Sequence, residues 1–160
     1  MPSILSDEEE IESPAPAANF FALDGIEDFP PDTHGAIGQD YVMTMLNTRV
    51  SVQTKGGITI MTNTLNEFWG YSNAPSVETV FDPRMTYDPF NQRWIAVAAT
   101  FSGSTNSEIV VAVSLTSNPT NGWNIVRQRA DPAGVYWADS PTIGFNKDWI
   151  VAQAKHGKDK

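Results

Sequence analysis

From about residue 33 onward, apolar and polar positions alternate in short runs broken by Gly, Asn, Ser and Pro. No stretch sustains the 3.6-residue period of an amphipathic helix, so the pattern predicts an all-β chain. Strands are expected near residues 41–46, 50–54, 57–61, 84–88, 93–100, 107–114, 123–128 and 148–154. Shorter runs at Ala36-Ile37 and Thr142-Ile143-Gly144 extend the series. Gly56-Gly57 between two β-forming runs is a hairpin turn, because Gly adopts the positive φ that tight two-residue turns need. Residues 63–79 read as a longer connection, in which Leu65, Phe68 and Trp69 anchor onto the body.

The strands fall into groups. Phe-Asn-x-x-Trp-Ile occurs as Phe90-Asn91-Gln92-Arg93-Trp94-Ile95 and again as Phe145-Asn146-Lys147-Asp148-Trp149-Ile150, with the Trp residues 55 positions apart. A weaker third copy lies 53 positions upstream of Trp94, where Gly38-Gln39-Asp40 leads into Tyr41-Val42-Met43. Asp32, Asp82 and Asp139 precede the three copies. A period near fifty residues, built from short strands and turns, points to four-stranded sheets repeated as the blades of a β-propeller. The chain has 160 residues. That length predicts a partial β-propeller of about two and a half four-stranded antiparallel blades, occupying residues 20–154. If the repeat is structural, Trp94 and Trp149 are buried at equivalent places.

Charge is distributed unevenly. Residues 1–40 hold ten Asp or Glu and no Lys or Arg, whereas residues 41–160 hold nine acids and ten bases. Residues 1–19 therefore read as an acidic disordered leader and 155–160 as a disordered tail, with Phe20, Phe21 and Leu23 marking where the chain meets the body. A near-neutral body without a basic stripe argues against nucleic-acid binding. No eighteen-residue apolar run predicts a membrane span. The acidic N-terminus is unlike a signal peptide. Cysteine is absent, which removes disulfides and thiol chemistry.

Candidate chemistry is sparse. Arg84 and Asp88 flank the strand around Tyr87; one reading makes them ligand-binding, and another pairs Arg84 and Arg93 locally with Asp82 and Asp88. Asp82, Asp88 and Asp139 are weak calcium candidates, since calcium favours several oxygens on turns. Asp before Pro in Asp82-Pro83 and Asp88-Pro89 is more simply a turn-former. His34 and His156 lie on unrelated segments, which argues against a metal pair or a triad. Trp69 and Trp137, falling in connections, are the candidates for sugar stacking. Thr116, Asn118 and Trp123 form a degenerate version of the turn motif Ser/Thr-x-Asp-x-Gly-x-x-Trp, which is structural. No catalytic residue or cofactor is predicted beyond possible calcium.

Several stretches resemble a family of mostly uncharacterised, exported bacterial propellers related in fold to the sialidase superfamily. They are Pro30-Pro31-Asp32-Thr33-His34-Gly35-Ala36-Ile37-Gly38, Phe81-Asp82-Pro83-Arg84 with Tyr87-Asp88-Pro89 and Arg93-Trp94, Ala112-Val113-Ser114, and Trp137-Ala138-Asp139-Ser140-Pro141 through Trp149. The resemblance covers roughly residues 20–154 and the N-terminal part of that family. It implies an extracellular or cell-surface location, and a chain that stops inside its third blade. Missing blades or self-association would then be needed to cover its open edges. The expected role is a non-catalytic module binding a glycan or protein. Alternatives are a fragment of a sialidase-like glycoside hydrolase, and a structural scaffold of a larger exported protein.

Overall fold

A computed structural model of the chain describes residues 13–25, 29–73 and 79–157. The acidic run at residues 7–10 lies outside them. Two four-stranded antiparallel sheets follow one another along the chain. The first comprises β1 (His34–Ile37), β2 (Tyr41–Met45), β3 (Arg49–Thr54) and β4 (Thr59–Thr64), and the second β5 (Val80–Asp88), β6 (Arg93–Thr100), β7 (Glu108–Ser114) and β8 (Trp123–Arg129). Each runs in sequential up-and-down order, and β9 (Trp137–Phe145) pairs with β10 (Ile150–Gly157) as the first half of a third. The first strands of the sheets lie side by side, β5 against both β1 and β9. Sequential meanders stacked through their innermost strands are propeller blades, so the chain is a partial β-propeller of about two and a half blades.

The central blade explains why β6 does not alternate. Trp94, Ala96 and Ala98 belong to the cluster that also holds Met43, Met45, Val50, Val52, Leu65 and Trp69 of the first blade. Ile95, Val97 and Ala99 are equally buried on the other face, the side on which β9 packs. A strand covered on both faces reads as a continuous apolar run, and its alanines let neighbouring blades approach closely. The outer strands β4 and β8 are largely exposed and polar, and the charged side chains of Arg127 and Arg129 discourage edge-to-edge pairing.

The link between the first two blades begins in a capped helical turn. Thr64 caps the one-turn helix α1 (Leu65–Phe68), with its side chain accepting from Glu67 N–H while the Glu67 carboxylate accepts from Thr64 N–H. Leu65 and Trp69 are fully buried, as expected for anchors, and Phe68 meets Trp69 and Trp123 edge-on. Phe20 lies against Gly57, whose φ is +85°, and Gln53 donates to the Phe21 carbonyl at 2.9 Å.

Three readings need correction. The innermost strands begin earlier than expected, at Val80 and Trp137, because Pro83 and Pro141 sit in bulges and do not end the strands. The tail is ordered through Gly157, since Lys155, His156 and Gly157 pair with Asp139, Ala138 and Trp137. Trp94 is fully buried but Trp149 is 73% exposed. The registers give the reason: Asp88 pairs with Arg93, whereas Phe145 pairs with Ile150. Phe90 and Trp149 are thus turn residues, while Trp94 lies inside a strand.

Candidate functional site

The true correspondence between blades is set by the entry of each innermost strand. Asp32, Asp82 and Ser140 all have left-handed backbones, with φ of 44°, 52° and 47°. Asp82-Pro83 together oppose one residue of β6, and Ser140-Pro141 together oppose one residue of β10. In the first sheet, Asn47 N–H reaches the Pro31 carbonyl at 3.0 Å. A left-handed residue therefore recurs at the entry of all three innermost strands, and a bulge follows it in the second and third sheets. Such conformations cost on the order of 1 kcal/mol or more for residues other than Gly, and they re-aim side chains at strand ends. Asp tolerates them because its short carboxylate bonds nearby backbone.

Hydrogen bonds passed from blade to blade hold these bends. The Asn47 amide donates to Asp32 Oδ2 at 2.6 Å and to the Pro30 carbonyl at 3.0 Å. Its oxygen accepts from Asp82 N–H at 2.8 Å. The Asp82 carboxylate in turn accepts from Ser140 N–H at 2.9 Å. Partial burial pushes the Asp82 carboxyl above the usual carboxylate range, and the negative charges of Asp32 and Asp139 add to this against the Ser140 N–H.

Beside them, His34 Nδ1 accepts from Met85 N–H at 3.2 Å, crossing the seam between the first two blades. Burial lowers the His34 pKa, and the Arg84 guanidinium lowers it further. Among the described residues Arg84 Nε is buried without a hydrogen-bond partner. Asp139 accepts from Lys155 Nζ at 2.9 Å. Asp32, His34, Asp82, Arg84 and Asp139 thus gather at one end of the innermost strands, where a propeller's axial channel opens.

The residues singled out from sequence fare differently. Arg84 sits in this cluster. Among the described residues neither Arg84 nor Arg93 makes an ion pair with Asp82 or Asp88; Arg93 instead donates to the carbonyls of Asn91 and Gln92. Asp88 is buried and caps its turn, accepting from Phe90 N–H at 2.8 Å and from the Asn91 amide at 2.8 Å. It stands at the far end of β5 from Asp82, about 20 Å away for six residues of strand. Asp88 therefore stands apart from Asp82 and Asp139, and among the described residues no group of three or more His, Asp or Glu is arranged to hold a metal. Trp69 is fully buried, leaving no face to stack on a sugar. Trp137 is half-buried against Phe81, and borders a cavity of about 40 Å³ with Thr105 and Tyr136. The Thr116–Trp123 motif is a structural turn: Asn118 Oδ1 accepts from Thr120 N–H, and Trp123 Nε1 donates to the Pro119 carbonyl.

Sequence reasoning passed over His34, Asn47 and Ser140. The signal for two of them was present: offsets of 50 and 58 residues superpose Asp32-Thr33-His34, Asp82-Pro83-Arg84 and Ser140-Pro141-Thr142. Asn47 leaves no such trace.

No protein-family model matches the chain, and no curated protein matches it significantly. Among solved structures, a GH43 endo-arabinanase from Bacillus licheniformis is similar at 19% identity and a TM-score of 0.45; the matched region covers 73% of this chain and 43% of that one. The assignment of blades rests on sheet order and strand packing.

Proposed function

We propose that this chain is a non-catalytic glycan-binding module of an extracellular or cell-surface protein, and that Asp32, His34, Asp82, Arg84 and Asp139 contact the sugar. One observation carries the reading: Asn47 ties the Asp32 carboxylate to the Asp82 backbone, and among the described residues the buried Nε of Arg84, whose charge reaches His34, has no hydrogen-bond partner. Carboxylates, an imidazole and a guanidinium at the end of neighbouring strands offer both donors and acceptors, which is what vicinal hydroxyls require. The resemblance to exported propellers supports the location.

A sialidase-like or other hydrolase reading has one observation in its favour, the raised pKa of Asp82, which suits a general acid. Calorimetric titration with a panel of oligosaccharides, alongside hydrolysis of chromogenic glycosides including sialosides, separates the two. The expected result is binding that weakens in Arg84→Ala and Asp32→Ala, with no turnover. Turnover abolished by Asp82→Asn would replace the binding reading with the hydrolytic one. Absence of binding to every sugar would remove the glycan.

A further inference from the structure

The turn between β7 and β8 holds the chain's one Asn-Gly pair, Asn121-Gly122. Gly122 has a φ of +101°, and a Cβ there would lie 3.3 Å from Leu115 Cδ1, so the turn requires glycine. Leu115 N–H donates to the Gly122 carbonyl at 2.9 Å, but among the described residues the Gly122 N–H meets no acceptor. Asn121 is exposed, and among the described residues its side-chain amide donates only to Thr116 Oγ1, at 3.3 Å. A free backbone N–H thus follows an exposed carboxamide, with no Cβ to crowd the approach between them.

We infer that Asn121 is a site of spontaneous deamidation, converted by water through a cyclic imide to aspartate and isoaspartate. The deprotonated Gly122 nitrogen attacks Asn121 Cγ; the new N–Cγ bond closes the imide ring, and Nδ2 leaves with a proton as ammonia. Water then opens the ring. Attack at Cγ leaves aspartate, whereas attack at the main-chain carbonyl leaves a peptide that runs through Cβ and Cγ and is longer by a methylene. The fold protects its other asparagines in ways it does not protect this one. Asn118 precedes Pro119, which has no N–H. The N–H groups after Asn63, Asn66 and Asn106 are taken, by the Glu67 carboxylate at 2.9 Å, Thr64 Oγ1 at 3.1 Å and the Ser104 carbonyl at 3.1 Å. The remaining asparagines precede residues whose Cβ hinders ring closure. A longer backbone at this turn is felt in the core, because the turn holds two tryptophans. Trp94 Nε1 donates to the Ser117 carbonyl and Trp123 Nε1 to the Pro119 carbonyl, each at 2.8 Å.

The test incubates the whole chain in neutral and mildly alkaline buffer and follows it by peptide mass mapping, with isoaspartate detected by enzymatic methylation. The expected result is that the peptide containing Asn121 shows the amide-to-acid mass gain before any other, faster at the higher pH, with isoaspartate as the larger product. The isoaspartyl form should melt about 2–4 °C below the unmodified chain, the shift for one lost hydrogen bond at this chain length. Asn121→Gln keeps an exposed amide but disfavours ring closure, so it should abolish the acidic product and melt as wild type. Conversion that occurs only after unfolding in urea would overturn the site, since the native turn would then block the attack. Earlier conversion at Asn106 or Asn91 would overturn it as well. An isoaspartyl form that melts with the unmodified chain would overturn the link to Trp94 and Trp123.

Discussion

The two copies of Phe-Asn-x-x-Trp-Ile share their letters and differ in position. In the central blade Phe90 and Asn91 form the turn, and Trp94 enters the strand, packs on Gly38 and Tyr87, and donates from Nε1 to the Ser117 carbonyl at 2.8 Å. In the third sheet Phe145 ends the strand, and Trp149 is left at the turn with 73% of its surface exposed. Asn146 does there what Asp88 does in the central blade, accepting from the two backbone N–H groups that follow. A repeated phrase is therefore not a repeated register. In a sheet, register is fixed by which residues can be buried and which can turn, and a two-residue shift leaves facing unchanged while moving a side chain from core to tip.

The largest test of this contrast is at the tryptophans themselves. Trp94→Ala is expected to cost about 3–5 kcal/mol in denaturant unfolding, because it opens a cavity between the first two blades. A cost below about 1 kcal/mol would show that Trp94 is not packed as described. Gly38→Ala sharpens the same point from the other side. A Cβ there would lie 2.5 Å from Trp94 Cζ2 and 3.1 Å from Tyr87 Cδ2, so the variant should lose about 1–3 kcal/mol by overpacking.

A smaller effect tests the seam through pH. His34 has a lowered pKa in the folded chain, so the unfolded chain binds more protons as the pH falls through about 6.5. Its contribution to stability is present above that pH and is lost as acid protonates Nδ1, which then cannot accept from Met85 N–H. His34→Gln retains an acceptor and should flatten the fall in melting temperature between pH 7 and 5. An unchanged pH profile would remove His34 from the seam. The smallest expected effect is Trp149→Ala, within about 0.5 kcal/mol of wild type, as for an exposed side chain without structural partners. A loss of 2 kcal/mol or more, on the order of a buried truncation, would mean that Trp149 is core and that the registers are wrong.

Much of the fold was legible, and the reason is local. Strands β2, β3, β6, β7 and β8 alternate or run apolar between Gly, Asn and Ser turns, so their periodicity could be counted. The innermost strands were read short because Asp82-Pro83 and Ser140-Pro141 look like turns. Only the pairing of β5 with β6 and of β9 with β10 shows that two residues oppose one and the strand continues. The site was legible in part. Arg84 and the three Asp were visible, but their meeting depends on bends whose φ values no propensity predicts. Asn47 acts through three contacts with residues 15 to 35 positions away, a relation that leaves no periodic trace. Trp69 carried two readings, and its burial bears out the anchor and removes the sugar-stacking face, since a connection residue can be as buried as any strand residue when a capped helical turn folds it inward.

The central claim is that the bends at Asp32, Asp82 and Ser140 bring residues of successive blades into one polar cluster. A carbon-13 titration of the aspartate carboxyls by NMR tests it most directly. The account predicts that Asp82 titrates above the usual carboxylate range, because of its partial burial and the charges of Asp32 and Asp139, and that Asp32→Asn lowers its midpoint. An Asp82 that titrates at or below about 3.9, the ordinary value for Asp, and does not respond to Asp32→Asn would contradict the account.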